Sequence, residues 1–266
     1  MSCPRFTMMI LSCDGYSDLW SGYFKQLGRF WPDAPAREIV LVTDRETEAA
    51  FPGVRIAAAG EDRSWTGRLR FALETVPDDY VLLTLDDYYL TDAVRTDKLA
   101  EYLRFLDAQG ADYFRLYPRP KRAAGEKLPE MGRVCRVDPA CAYSVNLYTG
   151  FWRTDFLRAC LEKDCDIWAF ESTLYLTAAE LGARCYASSE PVYPFLDVVR
   201  KGKLLHKSAA YFKKNPGVYT GARAVNTWRF EAGLWVKTMV GRHSPRFLRR
   251  GIKRVMRKLG YHFYSP

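Results

Sequence analysis

Residues 80–90 read YVLLTLDDYYL, and the reading of this stretch decides the fold. The run from Tyr80 to Leu85 is apolar or β-favouring without alternation. That pattern belongs to a strand covered on both faces of a largely parallel sheet. The strand is expected to continue to Leu90, with Asp86 and Asp87 near its C-terminal end, where open α/β sheets place their ligands. Two adjacent carboxylates repel, so the pair calls for a cation, a hydrogen-bond network or full solvation. A hard divalent ion that also holds phosphate oxygens meets that need. A solvated turn is the plainer alternative, because Asp is a common turn residue.

The neighbouring segments supply the frame for that strand. Residues 7–12 (TMMILS), 38–43 (EIVLVT) and 54–59 read as buried strands. Between them, residues 17–31 place Leu19, Trp20, Tyr23, Phe24, Leu27, Phe30 and Trp31 at helical spacing. Residues 64–76 carry Trp65, Leu69, Leu73 and Val76 at helical intervals, with Ser64 or Thr66 as N-cap. Residues 96–109 form another helix that stops at Gly110. Strand–helix alternation of this kind makes residues 1–110 a doubly wound α/β unit. Neither GxGxxG nor GxxxxGK[ST] follows a strand, which argues against dinucleotide and Walker-type phosphate sites. The second half is less regular. Strands are expected at 112–117 and 143–148, helices at 153–161 and 167–181, and strand or extended segments at 183–188 and 191–195. A loop rich in Pro, Gly and charge occupies 118–132.

With 266 residues, 48% of them apolar and 27% charged, the chain suits one large globular domain or one domain with appendages. No stretch approaches the roughly 20 consecutive apolar residues of a membrane span. The apolar run at the start is too short for a signal peptide and reads on into a strand. Seven scattered cysteines without a CxxC pair fit neither a zinc site nor a disulfide framework, and they point to a reducing, cytoplasmic location. The three histidines, at 206, 243 and 262, are too dispersed for a His-based metal site. Nucleophilic serine or cysteine catalysis lacks an elbow motif and a nearby histidine. Of the net +9, nearly all comes from residues 241–266, which hold eight Lys/Arg and no Asp/Glu. Without them, 32 bases stand against 31 acids.

The stretches LDDYYL, YTGFWRTDFL, DIWAFE and VYPFLDVVRKGKL, in this order over about residues 5–206, resemble GT-A glycosyltransferases. More narrowly, they resemble bacterial glycosyltransferase-like proteins of surface polysaccharide synthesis. The resemblance implies a GT-A-like (Rossmann-like) mixed, mostly parallel sheet flanked by helices. It implies that Asp86 and Asp87 hold Mn²⁺ or Mg²⁺ against a sugar-nucleotide diphosphate, an electrostatic task that a dication performs well. The motif here is Asp-Asp-Tyr, with Tyr88 where a third acid is usual. Glu171 matches the position of the general base for acceptor deprotonation. Its neighbours Trp168 and Phe170 would raise its pKa by desolvation. Asp166 is the competitor, Asp155 a weaker one, and a carboxylate merely favoured by the helix dipole is the structural alternative.

For the donor nucleotide, Asp14 and Asp44 each follow a strand, and one of them is expected to accept from a ribose hydroxyl or a base N–H. Arg68, near a helix N-terminus, suits a phosphate; Arg70 fits a solvated face equally well. Trp65 either stacks on the base or fills the core. Lys201 and Lys203, with His206 and Lys207 following, are candidates to approach the diphosphate from the other side; ordinary surface lysines are the alternative.

Residues 245–261 place Phe247, Leu248, Ile252, Val255, Met256 and Leu259 on one helical face and seven bases on the other. A basic amphipathic helical tail of this kind suits an anionic membrane surface, here through residues 242–261. Docking on the protein body and nucleic-acid contact are the other readings. The expected organisation is a catalytic domain over 1–206, with nucleotide and acceptor halves meeting near 110, and a basic extension over 207–266. The expected activity is sugar transfer, with inversion, from a nucleotide donor to a glycan or lipid-linked hydroxyl at the inner face of the plasma membrane. The rivals are a sugar-phosphate nucleotidyltransferase and a non-catalytic basic binding protein.

Overall fold

In the computed structural model, residues 3–118 and 125–243 are described. The chain divides into two compact units, one of Met1–Leu196 with Gly217–Gly221, the other of Asp197–Pro216 with Ala222–Pro266.

The first unit is built on an eight-stranded sheet. Its first four strands are β1 (Phe6–Leu11), β2 (Glu38–Thr43), β3 (Val54–Ala58) and β4 (Tyr80–Leu85). A short β5 (Tyr88–Leu90) lies outside that sheet and pairs with β10 (Phe195–Asp197). The remaining strands are β6 (Tyr113–Arg115), β7 (Val134–Val137), β8 (Gly150–Arg153) and β9 (Cys185–Ser188), in the sheet order β3-β2-β1-β4-β8-β6-β9-β7. β1 is parallel to β2 and β4, and β2 to β3. β8 runs antiparallel between β4 and β6, and β7 antiparallel on β9. The expected mixed, mostly parallel sheet is therefore present.

Among the described residues, five α-helices flank it: α1 (Ser17–Phe30), α2 (Trp65–Leu73), α3 (Thr96–Gln109), α4 (Thr154–Cys160) and α5 (Ile167–Glu180). All six residues of β1 are buried, because both faces of the sheet are covered. On one face Met9, Leu11, Val81 and Leu83 share a core with Leu69 and Leu73 of α2, Leu157 of α4 and Leu174 of α5. The other set, Met8, Ile10 and Leu82, is equally buried. Tyr102 of α3 stacks on Phe114 of β6 with centroids 4.6 Å apart. Each such side chain contributes about 1.5–3 kcal/mol through burial. Gly110 ends α3 in the left-handed region at φ 54°, the conformation that a glycine C-cap supplies cheaply.

The single strand expected over 80–90 breaks in two. After Leu85 the amide of Asp86 makes one more bond, to Leu11 O at 3.2 Å. Asp86 and Asp87 then turn the chain into β5. The strand expected over 143–148 does not form. Asn146 Nδ2 donates to Tyr143 O at 2.9 Å, and its Oδ1 accepts from Tyr148 N at 3.0 Å. These local bonds compete with a ladder, and Tyr143 at φ 62° is off the strand conformation. The central place goes to β8 instead. There a Cβ on Gly150 would lie 2.7 Å from Phe114 O, so the strands meet this closely only at a glycine.

The second unit holds the hairpin of β11 (Val199–Arg200) and β12 (Lys203–Leu204), then α6 (His206–Lys214) and α7 (Trp228–His243). Lys201 and Gly202 both have positive φ (50° and 73°), as a two-residue primed turn requires. The amphipathic helix expected over 245–261 lies outside the described residues, as does nearly all of the 242–261 membrane contact. Among the described residues, no helix is long and apolar enough to cross a membrane.

Candidate functional site

Strand order reverses between β1 and β4, and a ligand crevice in such sheets opens outside the carboxyl ends at that point. The residues that leave those ends are Ser12, Cys13 and Asp14 after β1, Asp44 after β2, and Asp86 and Asp87 after β4. Arg68 joins them from α2.

Asp86 is 5% exposed, and its Oδ2 accepts a hydrogen bond from Ser12 Oγ. Ser12 Oγ in turn accepts from Trp20 Nε1 at 2.6 Å. The relay Trp20–Ser12–Asp86 thus fixes one carboxylate oxygen from α1 through β1 to the end of β4. Asp44 Oδ1 accepts from the Asp14 amide at 2.6 Å, and its Oδ2 lies 3.4 Å from Arg68 Nη1. Asp14 Oδ2 faces Arg45 at 3.7 Å, while Asp14 Oδ1 is buried without a hydrogen-bond partner among the described residues.

The electrostatics agree with a cluster short of positive charge. Burial, then the nearby Asp44, pushes the Asp14 carboxyl above its ordinary range. Burial also raises the Cys13 thiol, and Asp86 and Asp44 raise it further, against a smaller opposing effect of Arg68. The site favours an incoming cation or a hydrogen-bond donor.

Tyr88 packs among aromatic rings. Its ring is buried, stacked on Phe195 at 4.2 Å and near Tyr148 at 6.1 Å. Among the described residues, no group of three or more His, Cys, Asp or Glu is placed to hold a metal ion. Two carboxylates at a strand end still fit Mg²⁺ or Mn²⁺ in one mode. Such an ion keeps several waters and is held by one or two carboxylates together with substrate phosphates. They do not form an all-protein cage.

The helix that carries Glu171 is tied to α2. Ser64 caps α2, its Oγ accepting from Gly67 N at 3.0 Å and donating to Asp164 Oδ1 at 2.9 Å. Thr66 Oγ1 accepts from Cys165 N at 2.9 Å, and Arg70 Nη2 pairs with Asp164 at 2.6 Å. Trp65 packs on Phe170 with centroids 5.2 Å apart and lies against the core. The N-terminal turns of α2 and α5 are therefore held together. Asp166 is the N-cap of α5, accepting from the amides of Trp168 and Ala169 at 2.8 Å each. Glu171 is half-buried beyond the first turn, and its charge adds to the burial that holds the Tyr113 phenol high. Asp155 pairs with Arg153 at 2.6 Å at the far end of β8. Lys201 and Lys203 are exposed on the hairpin of the second unit.

Ser12 and Trp20 did not emerge as site residues from the sequence. Their only local signal is a hydroxyl that closes an apolar strand and an indole on a helix that follows it; the bond that matters links positions 74 residues apart. At the opposite edge of the sheet a cavity of about 390 Å³ is lined by Asp78, Asp79, Tyr80, Asp107, Arg153 and Arg158, among others. Its Arg153 is neutralised by Asp112 and Asp155.

No family model and no curated protein matches the chain. Solved structures with a similar chain course include the bifunctional IspDF of Campylobacter jejuni, with 15% identity over 73% of this chain and 52% of that one and a TM-score of 0.44. TarS 1-349 of S. aureus shows 16% identity over 71% of this chain and 59% of that one, at a TM-score of 0.47. The mannosyltransferase PcManGT of Pyrobaculum calidifontis, in complex with GDP-Man and Mn²⁺, shows 17% identity over 76% of this chain and 59% of that one, also at 0.47. The chain spans little more than half the length of each.

Proposed function

We propose that this protein is a glycosyltransferase that moves a sugar from a nucleotide-sugar donor to a hydroxyl acceptor. The observation that carries the reading is the under-neutralised carboxylate cluster at the strand-order reversal, with Asp86 held in place by Ser12. Asp86 and Asp87 are the residues to hold Mg²⁺ or Mn²⁺, which would neutralise charge on the departing diphosphate. Asp14, with its unpartnered oxygen, accepts from the ribose or base; Asp44 holds Arg68 within reach of a phosphate. Trp65, packed on Phe170, contributes shape more than stacking area. Lys201 and Lys203, exposed on their hairpin, are the further bases proposed for the diphosphate.

Glu171 takes the proton of the acceptor hydroxyl as its oxygen attacks the anomeric carbon. The bond to the diphosphate breaks on the opposite face, and the configuration inverts. Asp166, engaged by two amides, is the weaker base. The acceptor is assigned to a surface polysaccharide or its lipid-linked precursor, made at the inner face of the plasma membrane, with residues 242–261 on the lipid.

A thermal-shift panel of nucleoside diphosphates with and without Mn²⁺ tests the donor site, since a ligand that binds the native state raises its Tm. At least one nucleotide should shift Tm with Mn²⁺ and lose that shift in Asp86→Asn. No shift with any nucleotide would overturn the reading, and product NMR showing retained configuration would remove Glu171 from its role.

A further inference from the structure

The second unit, taken by itself, has a surface for which sugar transfer gives no reason. Trp228 is 72% exposed and Trp235 64% exposed. Both lie on α7, seven residues apart, which places them on one face about 10.5 Å apart along the axis. Val225, 41% exposed, precedes them. Water-exposed indoles are costly to a soluble surface unless something covers them.

Charge indicates what covers them. The second unit holds 17 Lys/Arg against two Asp/Glu, whereas the first holds 23 against 29. Both acids of the second unit are internally engaged. Asp197 pairs with Arg200 at 2.5 Å, and Glu231 Oε1 meets His206 Nδ1 at 2.7 Å and its amide at 2.8 Å. Exposed Arg229 adjoins Trp228, and Lys201 and Lys203 are exposed on the hairpin.

Trp228 is also ordered in advance. The His206 ring stacks on it with centroids 3.5 Å apart at 20°, and Glu231, one turn along α7, braces the same histidine. A side chain already fixed loses little entropy on insertion. An indole, apolar in body with one N–H, suits the boundary between lipid headgroups and acyl chains.

We propose that α7 is a membrane-contact helix that sets Trp228 and Trp235 into the headgroup layer of an anionic bilayer, the surrounding bases lying on the lipid phosphates. The inference does not depend on sugar transfer, and it places lipid contact in the described helix, apart from residues 244–266.

Flotation of the full-length protein with vesicles tests it. Phosphatidylcholine vesicles containing about one third phosphatidylglycerol should carry the protein, and vesicles of phosphatidylcholine alone should not, with binding weakened by salt. The full-length double variant W228S/W235S should bind at least about tenfold more weakly, with its helical circular dichroism kept because both side chains are mostly exposed. Brominated lipid should quench tryptophan emission in the wild type and not in that variant. A second full-length variant, R249E/R250E/K253E/R254E, separates the tail: it should bind more weakly yet keep the quenching at high vesicle concentration. Undiminished flotation of W228S/W235S overturns the inference and assigns the contact to residues 244–266. Wild-type protein that retains RNA and ignores anionic vesicles overturns it in favour of a nucleic-acid surface.

Discussion

The two edges of the main sheet are both lined with aspartates, and they treat them in opposite ways. At the N-terminal edge Asp78 accepts from Thr7 Oγ1 at 2.7 Å and pairs with Arg37 at 3.4 Å. Asp112 there pairs with Arg153 at 2.9 Å and accepts from Arg184 N at 2.7 Å. Burial works against the Asp155 carboxylate, yet hydrogen bonds from Arg153 and Phe156 N outweigh it and hold it below its ordinary range. At the C-terminal edge Asp44 pairs with Arg68, Asp14 has only the more distant Arg45, which Glu61 also engages, and Asp14 is held above its ordinary range, by burial first and then by Asp44. A matched carboxylate holds the fold; an under-matched one waits for a partner from solution. The difference explains why the 390 Å³ cavity at the matched edge is the poorer candidate site.

Three substitutions probe that contrast. The largest effect belongs to the matched edge. Asp78→Ala removes a carboxylate 2% exposed in its side chain and leaves the Thr7 hydroxyl buried without its acceptor. Stability should fall by about 2–3 kcal/mol in urea unfolding, while nucleotide affinity per folded molecule stays unchanged. A loss of affinity comparable to that at the other edge would erase the distinction.

Next comes the relay at the under-matched edge. Ser12→Ala takes the donor from Asp86 and the acceptor from Trp20 Nε1. Nucleotide affinity in the presence of Mn²⁺, measured by calorimetry, should weaken about tenfold, the equivalent of roughly 1.4 kcal/mol. Ser12→Thr, which keeps the hydroxyl, should restore most of it.

The smallest effect has the opposite sign. Because Asp14 is raised in the folded state, folding favours its protonated form. The resulting penalty is absent below the ordinary carboxylate pKa and complete once pH has risen through the folded value. Asp14→Asn should therefore raise the Tm of the ligand-free protein by about 1–3 °C at pH 7, and the gain should vanish on acidification. The same variant should bind nucleotide less well. A lower Tm at pH 7 would mean that the contact with Arg45 outweighs the repulsion.

Much of the first half was legible from the chain alone. Residues 38–43 and 96–109 form their elements with the expected bounds, because an unbroken apolar run or a clean helical period leaves few alternatives. Asp86 and Asp87 were legible as a strand-end pair with a turn as the alternative, but the second sheet that this turn opens was not. The strand expected over 143–148 failed because Asn146 satisfies the local backbone. β7, with only four residues and one of them exposed, has too short a pattern to announce itself. Asp166 and Glu171 look alike in sequence; only the cap geometry separates them.

The bond from Ser12 to Asp86 joins the ends of two strands that are neighbours in the sheet and distant in the chain. Pairing β1 with β4 is a non-local event, the kind that comes late in folding because loop entropy opposes it. The two carboxylates after β4 are consequently not assembled into a site while helices and local turns form. During synthesis a partly folded chain would hold neither nucleotide nor ion in this arrangement. Competence arrives with the docking of the fourth strand against the first, and refolding followed by nucleotide binding would time that one event.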